Sequence, residues 1–224
     1  MDQREQNFQV LPFPPIREAA IDLLREGQRK HMIHALVDAD VTEARRLTRE
    51  HKASTGEKLS FTAFIVTCLA RAIDEDRQVQ ACRLGKRRLV IFEDVDVNTM
   101  VERQVSGSNM GTHNVIRAAN RKSFRQINDE IRAAQLGKVE EARGMEWFKW
   151  AEAAAWLPGF VRTIAWRAVE RNPRWVKQFA GTAGLTAVGM FGRGIGWGLT
   201  IPFLSPTVVL GGIVEKASSA LWQN

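Results

Sequence analysis

This 224-residue sequence contains few cysteines, and its first residues form no apolar stretch. Only Cys68 and Cys82 are present, and neither has metal-ligating residues at a suitable spacing nearby. We therefore interpret both as buried thiols, and we expect no metal site. Residues 1–9 are polar and contain no apolar stretch typical of a signal peptide. The cytoplasm is the expected location.

Long uncharged runs are also rare, and the one that occurs is unsuited to a helix. Residues 194–214 form 21 residues without a charge, which is long enough to span a bilayer. The run contains five glycines together with Pro202 and Pro206, which disfavour an uninterrupted helix. This composition favours glycine-punctuated β-strands inside a soluble core over a membrane span.

Basic residues outnumber acidic ones, which gives a net charge of +7 and a pI near 9.9. Such a charge permits anionic partners, including nucleic acid, acidic lipid or a phosphorylated cofactor. The arginines are spread through the predicted helices and are not gathered in one tail, so we expect no nucleic-acid partner.

Hydrophobic periodicity predicts an α/β layered domain with a mixed sheet. A helix over Ile16–Gly27, a strand over Met32–Val41 and a helix from Thr42 to Ser54 are followed by a buried helix capped by Ser60. Two β segments (79–84 and 88–101), a loop (107–113), a helix from Ser123 and late glycine-rich strands complete the order.

The segment 140–179 holds five of the seven tryptophans. Pro158-Gly159 divides it into two predicted helices, and the second combines an apolar stripe with a basic remainder. The stripe consists of Val161, Ile164, Ala165, Ala168 and Val169, and the basic residues are Arg162, Arg167, Arg171, Arg174 and Lys177. This pattern is typical of an amphipathic helix at a membrane surface, and also of a helical insertion packed against its own domain or a neighbouring subunit.

Several segments, in order, resemble the catalytic domain of the 2-oxo acid dehydrogenase acyltransferases, which are related to chloramphenicol acetyltransferase. They are Leu36-Val37-Asp38-Ala39-Asp40-Val41-Thr42, Lys58 to Phe64, Ala70 to Leu84, Asn114 to Gln135, and the run from Gly181 to Gly192. The last of these, with Leu185-Thr186-Ala187-Val188-Gly189-Met190-Phe191-Gly192, is the strongest match.

The resemblance implies a chloramphenicol acetyltransferase-like α/β fold and acyl transfer between a dihydrolipoyl thiol and coenzyme A. The lipoyl group would come from another chain, because the first fifteen residues contain no lysine-centred hairpin. The family position of the hydroxyl that stabilises the oxyanion falls on Thr186. The family assembles as trimers whose active sites lie between subunits.

The catalytic histidine is the weak part of this resemblance. The family carries it in a His-x-x-x-Asp-Gly motif after the Gly-Gly segment, and no such motif occurs before Asn224. His34 mimics the spacing but lacks the glycine, and it lies on a predicted strand where the family has no catalytic group, so we do not expect it to be the base. His31 and His51 have polar, basic surroundings typical of the surface, and His113 falls in the predicted loop. We therefore expect one catalytic-type domain over 1–224, with an extended arm (1–15), a helical insertion (140–180) and no C-terminal catalytic strand. It would be inactive alone, or a half-site subunit that needs a histidine-bearing partner in a homotrimer or mixed trimer. The alternatives are a non-catalytic structural subunit and a protein associated with a membrane surface.

Overall fold

The computed structural model describes residues 10, 13, 15–105, 108–136, 157–187 and 196–215. The helices in this part of the chain are α1 (Pro15–Gln28), α2 (Thr42–Thr55), α3 (Phe61–Glu75), α4 (Phe124–Gln135), α5 (Gly159–Glu170) and α6 (Pro173–Ala180). The strands are β1 (Cys82–Leu84), β2 (Arg88–Val90), β3 (Val97–Val105), β4 (Ser108–Ile116), β5 (Ala183–Ala187) and β6 (Thr207–Leu210).

The main sheet is mixed, as the sequence predicts. Its strand order is β4-β3-β5-β6, with β3 and β4 antiparallel and with β5 parallel to both β3 and β6. Strands β1 and β2 form a separate antiparallel hairpin. Because β3 and β5 run parallel but lie far apart in sequence, they require a crossover connection, and α4, α5 and α6 lie between them in the chain.

The hydrophobic core lies between one face of the main sheet and the helices α3 and α4. Alternate residues of β3, Val97, Thr99 and Val101, are buried, as strand geometry requires when one face is covered. Members of the same core come from both helices and from the neighbouring strands, namely Ala63, Val66, Ala70, Ile73, Ile116, Ile127, Ile131, Ala183 and Leu185. The residues between them in β3, such as Asn98 and Met100, therefore lie on the opposite face of the sheet.

Serine side chains cap two of the helices, and the cap predicted at Ser60 is confirmed. Ser60 accepts a hydrogen bond from the amide of Ala63 at 3.3 Å, and Ser123 caps α4. The buried side chain of Asn128 accepts the amide hydrogen of Ser60 at 2.9 Å, so it fixes the start of α3 against α4. Thr42 is the first helical residue of α2, and its own amide donates to the carboxylate of Asp40 at 2.9 Å.

Replacement of Ser123 by alanine is expected to lower the free energy of unfolding by about 1 kcal/mol. The Ser123 hydroxyl accepts from the amide of Gln126 at 3.3 Å, while the Gln126 side chain accepts from the Ser123 amide at 2.9 Å. The substitution removes the hydroxyl that accepts the Gln126 amide, whereas the backbone amide of residue 123 can still donate to the Gln126 side chain. Urea unfolding of both forms measures the loss; Ser54→Ala, at the exposed end of α2, is the control and should change stability by less than about 0.5 kcal/mol.

The predicted strand over Met32–Val41 is wrong. Residues 31–41 are extended or irregular and pair with no strand in the described part of the chain. Apolar residues of this segment face solvent, and Ile33 is 98% exposed. The alternation of apolar and polar residues is present, but a strand also needs a neighbour for its amide and carbonyl groups.

Three further boundaries differ from the prediction. The β segment predicted over 79–84 begins only at Cys82, because Arg77–Gln80 forms a 3-10 helix. The β segment predicted over 88–101 is interrupted at residues 91–96, so that β2 belongs to the hairpin and β3 to the main sheet. Residues 108–113, predicted as part of a loop, lie in β4. Polar and small residues in that stretch carry no apolar alternation, and its pairing with β3 decides the conformation.

The cysteines and the helices after residue 156 also correct the prediction. Cys68 is exposed and Cys82 is half-buried, and both are free thiols. Residues 137–156, which include Trp147, Trp150 and Trp156, lie outside the described residues, so the tryptophan-rich insertion stays a prediction there. Helix α5 begins at the predicted Pro158-Gly159 break. The second predicted helix is not continuous, because it is divided before Pro173 into α5 and α6.

Helix α5 packs through a basic residue and not through its whole apolar stripe. Arg162 is only 11% exposed and donates to Asp22 of α1 at 2.7 Å and to Glu18 at 3.0 Å. Ile164, in the predicted apolar stripe, is 62% exposed. No helix within the described ranges is long and apolar enough to cross a membrane.

Candidate functional site

Thr186 lies near the end of β5, on the face of the main sheet that α3 and α4 do not cover. Its neighbour Leu185 points into the core and is 3% exposed, so Thr186 points to the opposite side. The side chain is half-buried, and Val209 of β6 lies beside it in the parallel register. Within the described residues the Thr186 hydroxyl makes no hydrogen bond. A hydroxyl so placed can donate to an oxyanion that approaches this face.

His113 occupies the same face two strands away. It pairs with Met100 in β4–β3 register, and β3 lies parallel to β5 with Thr99 opposite Leu185. Continuing that register by one residue places Met100 beside Thr186. His113 and Thr186 are therefore separated by two strand spacings, or about 10 Å. A substrate atom between them would be near both side chains only if it sat above Met100.

The ring of His113 has a defined orientation. Its Nδ1 lies 3.2 Å from Oδ1 of Asn98, whose own amide nitrogen donates to the carbonyl of Ala180 at 3.0 Å. Because Oδ1 can only accept, Nδ1 carries the hydrogen and the lone pair resides on Nε2. The side chain keeps an exposed surface, yet neighbouring protein atoms exclude enough water to lower the pKa of His113. The lower pKa favours the neutral imidazole.

A buried ionic cluster holds β5 in place beside β3. Asp96, whose side chain is 4% exposed, accepts from the guanidinium of Arg117 at 2.9 Å and from the amide of Ala118 at 2.8 Å. Arg117 also donates to the carbonyls of Lys177 and Gln178 in the last turn of α6. The carboxylate and the guanidinium thus connect α6, β3 and the turn after β4.

The backbone around Asp96 completes this connection. Its carbonyl accepts from the amides of Thr182 and Ala183 at 2.7 and 3.1 Å, and its amide donates to the Thr182 hydroxyl at 3.0 Å. These bonds fix the entry of the chain into β5, three residues before Thr186. The position of Thr186 therefore depends on the backbone of Asp96, although no hydrogen bond joins the two side chains in the described part of the chain.

The other histidines lie away from this arrangement. His34 is exposed in the unpaired segment 31–41 and makes no hydrogen bond or ion pair within the described ranges. His31 is exposed as expected. His51 is half-buried and contacts Glu57 at 3.1 Å, which also pairs with Arg125 at 2.7 Å. In the described part of the chain no hydrogen bond links His34 to Thr186, and no group of His, Cys, Asp and Glu could hold a metal ion.

The described part of the chain forms an α/β domain, in which helices cover one face of a mixed sheet and Thr186 and His113 lie on the other. Residues 5–143 match the model of the family described as 2-oxoacid dehydrogenases acyltransferase (catalytic domain), and the chain belongs to this family. The match ends before β5, so it does not reach Thr186. No curated protein sequence matches the chain.

Solved structures share the fold. A probable dihydrolipoamide acetyltransferase from Listeria monocytogenes 4b F2365 is 18% identical, with a TM-score of 0.59, over 94% of this chain and 77% of that one. The cubic core of a pyruvate dehydrogenase multienzyme complex is 14% identical, with a TM-score of 0.60, over 92% and 73%. A truncated catalytic core of the 2-oxoacid dehydrogenase multienzyme complex from Thermoplasma acidophilum is 17% identical, with a TM-score of 0.58, over 93% and 82%. The fold predicted from the sequence is confirmed.

Sequence reasoning missed the residues that position the site. Asp96 stands in the alternating run Val95-Asp96-Val97, and a carboxylate between two buried valines is the signal that could have identified it. Its partner Arg117 lies 21 residues later, and no local pattern joins the two. Asn98 and His113 become neighbours only through the register of β3 and β4.

Proposed function

We propose that this chain contributes the oxyanion-binding half of an acyltransferase active site, which a histidine-bearing subunit completes. The observation that carries the proposal is the position of Thr186, in a chain of the acyltransferase family, on the open face of the sheet. Its hydroxyl has no partner within the described residues.

The proposed reaction transfers an acyl group between coenzyme A and a dihydrolipoyl group carried by another chain. The partner's histidine takes the proton of the attacking thiol, and a new carbon–sulfur bond forms at the thioester carbonyl. The carbonyl oxygen becomes an oxyanion, to which the hydroxyl of Thr186 donates a hydrogen bond. Collapse of this intermediate breaks the original carbon–sulfur bond, and the histidine returns the proton to the departing thiolate.

The proposed assembly is a trimer, either of this chain with itself or mixed with the histidine-bearing subunit. Two of the solved structures that share the fold are cores of multienzyme complexes, and this likeness supports an assembled state. A lipoyl-domain protein of the same complex would deliver the acyl group. The proposed compartment is the cytoplasm.

The decisive experiment combines this chain with a histidine-bearing dihydrolipoyl acyltransferase whose own oxyanion hydroxyl has been replaced by alanine. We expect little acetyl transfer from acetyl-coenzyme A to dihydrolipoamide by either protein alone, and turnover by the mixture. Thr186→Ala in this chain should lower that turnover about a hundredfold, because one oxyanion donor is lost. His34→Ala, the control, should leave it unchanged.

Two other results would change the conclusion. Turnover by the isolated chain that disappears in His34→Ala would overturn the half-site and assign the base to His34. A mixed assembly that forms but remains inactive would assign the chain the role of a structural subunit.

The second candidate is association with a membrane surface, and exposed apolar residues on α5 and α6 favour it. Phe160 is 69% exposed, and Ile164, Trp175 and Phe179 are also exposed beside basic residues. Sedimentation with vesicles of phosphatidylcholine and phosphatidylserine separates this candidate from the first. Loss of sedimentation in Phe160→Ser would support it, whereas a chain that stays in solution would exclude it.

A further inference from the structure

A basic cleft lies at the junction of α1, the β1–β2 hairpin and α5. Its volume is about 400 Å³, and its walls are formed by Arg29, Arg83, Gly85, Arg167, Glu170 and Arg171. None of these residues belongs to the main sheet or to the face that carries Thr186. The volume falls within the range typical of small-molecule sites.

The charge in this cleft is unbalanced. Four arginines and one carboxylate residue, Glu170, line the cleft, and the carboxylate of Glu170 is already 3.3 Å from the ammonium of Lys30. The lysine is itself held in place, because it donates to the carbonyl of Phe203 and lies over the ring of that residue. The positive charge of the arginines is therefore not neutralised by the carboxylate of the cleft.

Two of the arginines are held in position, and two are not. The guanidinium of Arg83 donates to the carbonyls of Gly85 and Lys86 at 3.0 and 3.1 Å, and Arg29 lies 3.8 Å from the carboxylate of Glu26. The side chains of Arg167 and Arg171 make no hydrogen bond or ion pair with any described residue.

The spacing of Arg167 and Arg171 brings their charges together. They stand four residues apart at the end of α5, so they lie on the same side of the helix, and like charges in that relation destabilise an isolated helix. The partial negative charge of the helix C-terminus offsets part of this repulsion. This helix-end effect concerns only the two arginines of α5. It does not explain why Arg29 and Arg83, from two other elements, line the same cleft.

We propose that the cleft binds a small soluble molecule that carries two phosphate groups. Guanidinium groups match phosphate oxygens in planar, two-pronged hydrogen bonds, and two phosphates would place opposite charge against all four arginines. Gly85 leaves space at the hairpin, since a side-chain carbon at that position would meet nothing within 4 Å. The cleft shares no residue with the sheet face that carries Thr186, so this proposal does not rest on the proposed acyl transfer.

Calorimetric titration of the full chain with inorganic pyrophosphate tests the site. We expect binding that weakens by about tenfold for each arginine removed, hence about a hundredfold in the double variant Arg167→Gln/Arg171→Gln. The matched control is Arg45→Gln/Arg49→Gln, which removes the same charge from exposed positions on α2 and should bind like the original chain. Because all four side chains are exposed, circular dichroism should show that both variants stay folded.

Several outcomes would overturn the proposal. They are the absence of pyrophosphate binding, equal weakening in the two double variants, and sulfate binding as tightly as pyrophosphate. In a fourth outcome, the chain sediments with vesicles that contain phosphatidic acid but does not bind free pyrophosphate, and Arg167→Gln/Arg171→Gln abolishes the sedimentation. That result would assign the arginines to a lipid headgroup.

Discussion

Replacement of Asp96 by alanine is expected to lower the free energy of unfolding by about 3–5 kcal/mol. The substitution removes the acceptor of Arg117 and of the Ala118 amide from a site where the carboxylate is 4% exposed. The guanidinium keeps its bonds to the end of α6 but loses the opposite charge, and a partly buried charge without its counterion is costly. Urea unfolding followed by circular dichroism measures the change.

A matched variant separates this effect from the loss of any surface carboxylate. Asp129→Ala removes an exposed carboxylate that lies 3.7 Å from Arg125, and it should cost less than about 1 kcal/mol. If both variants lose the same amount of stability, the cluster around Asp96 does not hold β5 to β3. A loss confined to Asp96→Ala supports its role in placing Thr186.

The helices were the most predictable part of the fold. Ser60 and Ser123 mark helix starts because a hydroxyl in the sequence satisfies an amide only three residues away. Apolar residues at helical spacing, such as Ile127 and Ile131, also identify the buried face of α4 without knowledge of the rest of the chain.

The strands were harder to predict because their pairing is not local. Residues 31–41 alternate as a strand should, yet they remain unpaired in the described part of the chain. Residues 108–113 show little alternation, yet β3 holds them in register. The sequence expresses the preference of each segment, whereas the partner decides whether a strand forms.

The same limit applies to the candidate site. Thr186 was identified through a segment that resembles the acyltransferase family. The sheet register then shows on which face it lies and that Val209 of β6 is its neighbour. Asp96, Arg117 and Thr182 come from three separate stretches, and only the folded chain shows that they cooperate. In the sequence, the hint of such a cluster is the carboxylate of Asp96 between Val95 and Val97.

Gly181→Ala is expected to lower the free energy of unfolding by about 3 kcal/mol, for two reasons that act together. Gly181 has a φ of +86°, a backbone conformation that residues with a side chain rarely adopt. A methyl group there would also lie 2.6 Å from the carbonyl oxygen of Asp96. That oxygen accepts the amides of Thr182 and Ala183, so moving it weakens both hydrogen bonds at the entry to β5.

Gly56→Ala is the control for a positive φ without a steric contact. Gly56 also has a positive φ, of +73°, but a methyl group there would meet nothing within 4 Å. We expect Gly56→Ala to cost only about 1 kcal/mol, the conformational penalty alone. Equal losses in the two variants, measured by urea unfolding, would show that the contact with Asp96 is relieved without disturbing β5. A larger loss in Gly181→Ala, together with weaker acyl transfer in the mixed assembly, would link this turn to the position of Thr186.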